Sequence, residues 1–283
     1  MKLGAHVSAA GGASKAIDRA VEIGAEAIQI FASSPRGWAF KPIAENEAKA
    51  FRQRSKETGI GPAFVHGSYL VNIGSKELQE KSIDSLVKNM QAASQLGATG
   101  VIFHGGSHKG AGLDAIFDTA VTTLNQVLER SPNDVFLTLE NSAGMGDHIG
   151  SSFKDMARLI KAVGSPRMKV CLDTEHAFAA GYNLADKKAI NEVMEEFDEE
   201  LGLDSLVAVH ANDAKVPFAS GVDRHDNIGD GHIGIGGFEV IMRHAAFHKV
   251  PFFLEVPGID GNGPDKENVD RLKAIRSKLG LDP

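Results

Sequence analysis

The amino-acid sequence predicts an α/β fold, a single (β/α)8 barrel domain spanning residues 1–283. Eight short apolar segments recur along the chain, amphipathic segments separate them, and several amphipathic segments end at glycine. This alternation is typical of parallel strands joined by helices. Eight copies favour a closed barrel over an open doubly wound sheet, although the pattern alone leaves the open sheet as an alternative.

The eight apolar segments are the predicted strands. Continuous apolar character is typical of strands that are buried on both faces of a parallel sheet. In chain order the segments are KLGAHV, AIQIFA, AFVHGS, GVIFHG, VFLTLE, MKVCLDT, LVAVHA and PFFLEV. A chain of 283 residues is long enough to bury all of them in one large core.

The segments between the strands are predicted helices, and the clearest runs from Lys76 to Gln95. Its apolar residues recur at spacings of three and four, which places them on one helix face. These residues are Ile83, Leu86, Val87, Met90, Ala93 and Leu96. The segments VEIGA, ETGI and QLGA contain glycine, the residue that best adopts the left-handed conformation of a helix C-cap.

Composition and the N-terminal segment predict a protein of the cytoplasm with no membrane association. No apolar run approaches the roughly 18 residues that a membrane span needs. The segment MKLGAHVSAAGG lacks the features of a secretory signal, and Cys171 is the only cysteine, so no internal disulfide can form. We expect a buried structural thiol at Cys171 and a monomeric protein.

The formal net charge of −7 argues against a globally basic surface for nucleic acid. Three bound divalent cations would change that balance to −1 and would concentrate positive charge in one cleft. A nucleic-acid function therefore depends on a local cluster of metal ligands.

Such a cluster is predicted at the ends of the strands. In a barrel the carboxyl ends of all strands meet at one mouth, where the active site lies. Histidine or carboxylate residues occupy six of these ends: His66, His104, Glu140, Asp173, His210 and Glu255. Without cations, so many convergent groups would repel one another or lack partners, so a shared metal site is the simplest explanation.

Three further candidate ligands follow in two loops. His176 comes three residues after Asp173 in LDTEHAF, and Asp223 and His225 flank an arginine in VDRHDN. Five histidines and four carboxylates suit zinc or another late divalent cation better than magnesium. Two or three cations with positions left for water or substrate indicate hydrolysis of a phosphate ester.

From GAHVSAAGG to FFLEVPG the chain resembles the endonuclease IV family, the zinc-dependent apurinic/apyrimidinic endonucleases of family 2. Three blocks carry the resemblance: HGSYLVN, CLDTEHAFAAGY and HANDAKVPFASGVDRH. The resemblance implies a TIM barrel with three Zn²⁺ ions, and Mn²⁺ is an option at one site. It assigns His66, His104 and Glu140 to the first ion, with Glu140 bridging to the second. It assigns Asp173, His210 and Glu255 to the second ion, and His176, Asp223 and His225 to the third.

The activity that the resemblance implies is base excision repair of double-stranded DNA. The enzyme would cut the phosphodiester bond 5′ to an abasic site by attack of a metal-bound hydroxide, leaving a 3′-hydroxyl and a 5′-deoxyribose phosphate. It would also trim blocked 3′ ends. Glu140 is the predicted catalytic residue, which orients the nucleophile, and Arg36, Tyr69 and Arg224 are the predicted DNA contacts.

One departure from the family pattern bears on the metal site. Glu175 stands in LDTEH where the family usually has a small residue, and it adds negative charge beside the predicted cluster.

Two other functions remain as alternatives. One is a sugar isomerase barrel with two divalent ions, which would leave His176, Asp223 and His225 without a role. The other is a zinc-containing protein that binds damaged DNA without cutting it.

Overall fold

The predicted closed barrel is confirmed by the computed structural model, which describes residues 1–281. Eight parallel strands form the barrel, and each pairs with its neighbour along the chain. The strands are β1 (Leu3–His6), β2 (Ile28–Phe31), β3 (Ala63–His66), β4 (Gly100–His104), β5 (Phe136–Glu140), β6 (Met168–Asp173), β7 (Leu206–His210) and β10 (Phe252–Leu254). The last strand, β10, pairs with both β7 and β1 and closes the barrel.

Helices surround the barrel, and residues 1–281 contain nine of them. They are α1 (Ala13–Glu22), α2 (Glu45–Thr58), α3 (Gln79–Leu96), α4 (Leu113–Arg130), α5 (Phe153–Val163), α6 (Thr174–Ala180), α7 (Ala189–Leu201), α8 (Gly234–Arg243) and α9 (Lys266–Lys278). None of these helices combines the length and the apolar character that a membrane span requires.

The predicted helix Lys76–Gln95 begins three residues too early. The observed helix α3 starts at Gln79, because residues 75–78 form a turn in which the Ser75 hydroxyl accepts the Leu78 N–H at 3.3 Å. The predicted glycine C-caps are confirmed at Gly59 and Gly97, which follow α2 and α3 with φ of 73° and 68°.

Inside the barrel, an apolar layer lies directly below a polar one. Side chains two residues apart on a strand face the same side. The lower layer contains a buried cluster formed by Ala27, Phe64, Ile102, Cys171, Ala208 and Phe253. Two residues further along each strand lie Gln29, His66, His104, Asp173, His210 and Glu255. The period of two therefore directs one polar side chain per strand toward the mouth.

Two short elements not predicted from the sequence complete the mouth. Helix α6 begins immediately after β6, and the strands β8 (Asp213–Ala214) and β9 (His225–Asp226) form an antiparallel hairpin beyond β7. Cys171 is fully buried in β6, and burial raises the pKa of its thiol to about 12, as expected for a structural cysteine.

Candidate metal centre

The structure brings all nine predicted metal ligands together at the barrel mouth. In three overlapping groups, the potential ligand atoms lie within 4.8 Å of one another. The groups are His66, His104 and Glu140; Glu140, Asp173, His210 and Glu255; and Asp173, Glu175, His176 and His225. The first two groups have the same members as the first two predicted sites. The third group differs, because it includes Glu175 and Asp173, while Asp223 lies beside it.

Glu140 lies at the junction of the first two groups. Its Oε2 is 3.3 Å from His66 Nε2 and 3.5 Å from His104 Nε2. Its Oε1 faces the other way and is 2.9 Å from His210 Nδ1. Because Glu140 is fully buried at the end of β5, each carboxylate oxygen has a fixed direction. This is the arrangement of a carboxylate that can bridge two cations.

The second group converges on His210 at the end of β7. Its Nδ1 is 3.3 Å from Glu255 Oε2 and 3.8 Å from Asp173 Oδ2. Glu255 directly follows β10, and Asp173 pairs with His210 in the register of β6 and β7. Three neighbouring strands therefore direct these side chains to one point.

The third group is built by α6 and by the β8–β9 hairpin. Asp173 is the N-cap of α6, and its Oδ1 accepts the backbone N–H of His176 at 3.0 Å. His176 Nε2 lies 3.4 Å from Asp223 Oδ2, and His225 Nε2 lies 3.6 Å from Asp223 Oδ1. The loop that carries VDRHDN thus places Asp223 and His225 against the helix.

In four of the five histidines, one ring nitrogen is held by a carbonyl-type oxygen and the other is directed toward the carboxylates of the centre. In each, the nitrogen that faces the carbonyl-type oxygen carries the proton, because that oxygen can only accept. The pairs are His66 Nδ1 with Gly67 O, His176 Nδ1 with Asn141 O, His210 Nε2 with Gln29 Oε1, and His225 Nδ1 with Glu255 O. The second nitrogen of each ring faces the carboxylates and would be the ligand atom for a cation.

The carboxylates of the centre require compensating positive charge. Within residues 1–281, every ion pair formed by Glu140, Asp173, Asp223 or Glu255 has a histidine as its partner. Burial opposes ionisation of Glu140, but His104 and His210 outweigh it and hold its pKa well below the ordinary value. Burial likewise opposes ionisation of Asp223, yet His176 and His225 lower its pKa to about 2.

The histidines respond in a way that fits bound cations. Burial lowers the pKa of His104 to about 4, so this ring is neutral at pH 7 and can act as a ligand. Burial also opposes charge on His176, but Asp173 and Asp223 raise its pKa well above the ordinary value. The buried Nε2 of His225 has no hydrogen-bond partner. Divalent cations would neutralise these carboxylates and satisfy that nitrogen, so the residues fit a metal centre.

Three polar residues that support this centre were not found from the sequence. Gln29 is fully buried on β2; its Nε2 donates to Glu255 Oε1 at 2.6 Å, and its Oε1 lies 2.9 Å from His210 Nε2. Asn212 donates to Asp173 Oδ2 at 2.7 Å and accepts the Glu255 N–H at 2.8 Å. Asn141 Oδ1 accepts the Asp173 N–H at 2.6 Å. The alternation of β2 could have identified Gln29, since it lies two residues after Ala27.

Asp213 organises the glycine-rich loop at residues 227–234. Its buried carboxylate accepts backbone N–H groups from Gly229 at 2.8 Å, from Ile233 at 2.9 Å and from Gly234 at 3.1 Å. A Cβ atom at Gly231 would lie 2.5 Å from Asp213 Oδ1, so only glycine allows this close approach. The loop is a fixed part of the mouth beside His225.

Two of the three predicted DNA contacts line the open cavity of the centre, and the third lies outside it. Tyr69 is 51% exposed, and its ring centroid is 5.9 Å from that of His104. Tyr69 and the exposed Arg224 line one cavity of about 470 Å³ together with His104 and His176. Arg36 is exposed in the loop after β2 and does not line this cavity. That loop is tied to Tyr69, whose N–H donates to Pro35 O at 2.9 Å.

Comparison with known proteins agrees with this fold. A family model described as the xylose isomerase-like TIM barrel matches residues 17–277, which defines the class of the protein. A protein named Probable endonuclease 4 from Halothermothrix orenii is 41% identical over 276 residues, covering 96% of this chain and 99% of that protein. A protein of the same name from Haloarcula marismortui is 38% identical and covers 98% and 100%. The chain belongs to the endonuclease IV family.

Solved structures of this family and of other proteins share the barrel fold. The crystal structure of endonuclease IV from Thermus thermophilus superposes with a TM-score of 0.85 at 32% identity, with complete coverage of both chains. A D-tagatose 3-epimerase-like protein superposes with a TM-score of 0.73 at 18% identity, covering 99% and 97%. At that identity the second similarity concerns the fold alone.

Proposed function

We propose that this protein is a metal-dependent DNA-repair phosphodiesterase that acts on double-stranded DNA. It cuts the backbone 5′ to an abasic site, leaves a 3′-hydroxyl and a 5′-deoxyribose phosphate, and removes blocking groups from 3′ ends. The observation that carries the proposal is the convergence of nine histidine and carboxylate side chains on one open mouth. Membership of the endonuclease IV family and the relatives named endonuclease 4 support the choice of substrate.

Each group of ligands has a distinct task in this proposal. Bound Zn²⁺ ions supply positive charge for the phosphate oxygens and make water a stronger nucleophile. Glu140 would hold two neighbouring cations, because its Oε2 lies beside His66 and its Oε1 lies beside His210. His176, Asp223 and His225 hold a third position at the edge of the open cavity.

The rim residues bind the duplex. The Arg224 side chain donates to Asp223 O at 2.9 Å, which holds its cation beside the third position, where a phosphate would lie. The exposed ring of Tyr69 can stack against a base or fill the gap left by an extruded nucleotide. Arg36 reaches the same duplex from the loop after β2.

The proposal is tested with protein purified without chelator and a duplex that contains one stable abasic analogue. We expect one cut on the 5′ side of the analogue, products with a 3′-hydroxyl, and no cut in the matched undamaged duplex. Chelation should abolish cutting and Zn²⁺ should restore it. Full metal occupancy with duplex binding but no cutting would support the non-catalytic alternative. Sugar interconversion without cutting would support the isomerase alternative.

Glu140→Gln tests the assigned catalytic residue. We expect a loss of at least about a hundredfold in cutting rate with duplex binding largely intact, because the bridging charge is lost. Glu192→Gln, an exposed carboxylate on α7, is the matched control and should cut at the wild-type rate. A Glu140→Gln protein with wild-type turnover would refute the role.

Arg36→Ala tests damage recognition apart from the metal centre. It should weaken binding of the abasic duplex without lowering the metal content, since Arg36 lies outside the ligand groups. Arg243→Ala, at the exposed end of α8, is the control. Unchanged affinity in Arg36→Ala would remove this residue from the interface.

A further inference from the structure

Glu175 is a fully buried carboxylate for which the predicted metal ligands leave no role. It lies in the first turn of α6, between Thr174 and the candidate ligand His176. A glutamate has no packing advantage there, because a charged group loses its hydration when it is buried. A carboxylate buried in this way requires a partner of opposite charge.

The hydrogen bonds of Glu175 account for only one of its two oxygens. Oε1 accepts the backbone N–H of Arg224 at 3.1 Å. Oε2 is buried and has no hydrogen-bond partner.

The position of Glu175 supplies the missing partner. Its carboxylate lies in one group with Asp173, His176 and His225, and the potential ligand atoms of all four are within 4.8 Å of one another. His225 belongs to the same group, and its Nε2 is likewise buried without a hydrogen-bond partner. Two residues of this group therefore each have a buried atom of metal-ligand type that lacks a hydrogen-bond partner.

We propose that Glu175 is an additional ligand of the third cation, beyond His176, Asp223 and His225. This inference rests on the metal-dependent function proposed above. With Glu175 the third cation has two imidazole and two carboxylate ligands, so its set is richer in oxygen and carries one more negative charge. Oxygen ligands favour Mn²⁺ relative to an imidazole-rich set, so Glu175 increases the tolerance of this position for Mn²⁺.

The same carboxylate couples the cation to the loop at residues 222–227. One oxygen accepts the backbone N–H of Arg224, which lies between Asp223 and His225, and the other oxygen, which has no hydrogen-bond partner, would bind the cation. Occupancy of the third position therefore stabilises the loop that presents the Arg224 side chain.

Two substitutions separate metal ligation from simple anchoring of the loop. Glu175→Gln keeps an oxygen that can accept the Arg224 N–H, but it removes the negative charge and the strong ligand. Glu175→Ala removes both interactions. If Glu175 only anchors the loop, the glutamine variant should resemble the wild type and only the alanine variant should be impaired. Glu192→Gln on α7 again serves as the matched control.

The experiment measures Zn²⁺ and Mn²⁺ per folded chain by native mass spectrometry and by titration against a chromophoric chelator. We expect Glu175→Gln to bind the weakest cation about tenfold or more weakly than wild type, with the two tighter cations unchanged. Its preference for Mn²⁺ relative to Zn²⁺ should fall. Circular dichroism and thermal unfolding show whether each variant is folded.

Wild-type affinity for all cations in folded Glu175→Gln, or a wild-type chain that takes up only two cations, would overturn the ligand assignment. These readouts do not depend on catalysis. A different result would separate the two proposals. If the wild type binds three cations and Glu175→Gln weakens the third, but the wild type never cuts abasic DNA, the proposed function is wrong and the ligand assignment stands.

Discussion

At the scale of single residues, the centre depends on which nitrogen of each histidine faces the carboxylates. Carbonyl-type oxygens hold the proton on the far nitrogen of His66, His176, His210 and His225. Only for His210 is that oxygen in a side chain, the amide of Gln29. The strand-end histidines were predictable from the sequence because each ends an apolar strand. The alternation of β2 places the neutral amide of Gln29 on the same face, but its role depends on contacts with Glu255 and His210 across the barrel, which the sequence does not show.

Gln29→Leu tests this dependence. Without the amide, no acceptor fixes which nitrogen of His210 carries the proton, and Glu255 loses a hydrogen-bond donor. We therefore expect about tenfold to a hundredfold weaker binding at the second cation position. The unpartnered His210 nitrogen should also reduce the free energy of unfolding by about 1–3 kcal/mol. Chelator titration and ¹⁵N NMR of the histidine rings are the measurements. Gln53→Leu, exposed on α2, is the control, and an unchanged His210 tautomer with unchanged affinity would contradict the assignment.

At the scale of elements, strands and loops contribute differently to the site. The strands set the first two ligand groups through their register, which is why the apolar pattern predicted those residues. The third group needs α6 and the β8–β9 hairpin, which are too short to give a periodic signal in the sequence. The inclusion of Glu175 depends on how these two elements meet, and a pattern along the chain cannot show that.

Asp213→Asn tests the loop that supports the hairpin. The asparagine has one acceptor oxygen in place of two, and its NH₂ group would face backbone donors such as Gly229 N–H and Gly234 N–H. We expect a loss of about 1–3 kcal/mol in the free energy of unfolding and faster amide hydrogen exchange at residues 229–234. Asp260→Asn in an exposed loop is the control. Wild-type exchange at residues 229–234 would show that Asp213 does not hold the loop.

At the scale of the whole molecule, the C-terminal helix ties the ends of the chain together. Arg276 on α9 makes two hydrogen bonds to Glu26, of 2.6 Å and 2.7 Å, and a third to Met1 O at 2.8 Å. Glu26 Oε2 also accepts the Leu3 N–H at 3.0 Å. This pair holds α9 against the segments that precede β1 and β2. The alternation of strands and helices predicted the order of these elements but not the contact between them.

The Glu26 pair predicts a specific loss of stability in acid. Burial opposes its ionisation, but hydrogen bonds from Arg276 and from the Leu3 N–H lower the pKa of Glu26 below its ordinary value. A lowered carboxyl pKa gives stability that is complete above the unfolded pKa and is lost as the pH falls through the folded value. Glu26→Gln should therefore cost about 2 kcal/mol at pH 7, and this difference from wild type should shrink toward pH 3.

Urea unfolding of both proteins at pH 7 and pH 3 measures this difference. Glu239→Gln is the control, because it breaks only the pair with the exposed Lys278, which lies on α9 like Arg276. It should reduce the free energy of unfolding by less than about 1 kcal/mol. An equal effect of Glu26→Gln at both pH values would contradict the electrostatic assignment.

The most direct test of the whole account is a crystal structure of the protein grown with Zn²⁺, with anomalous diffraction recorded at the zinc edge. The account predicts three anomalous peaks at the barrel mouth: one among His66, His104 and Glu140, one among Glu140, Asp173, His210 and Glu255, and one beside His176, Asp223 and His225. Fewer than two peaks at the mouth, or zinc ions bound elsewhere while these side chains contact only one another, would contradict it.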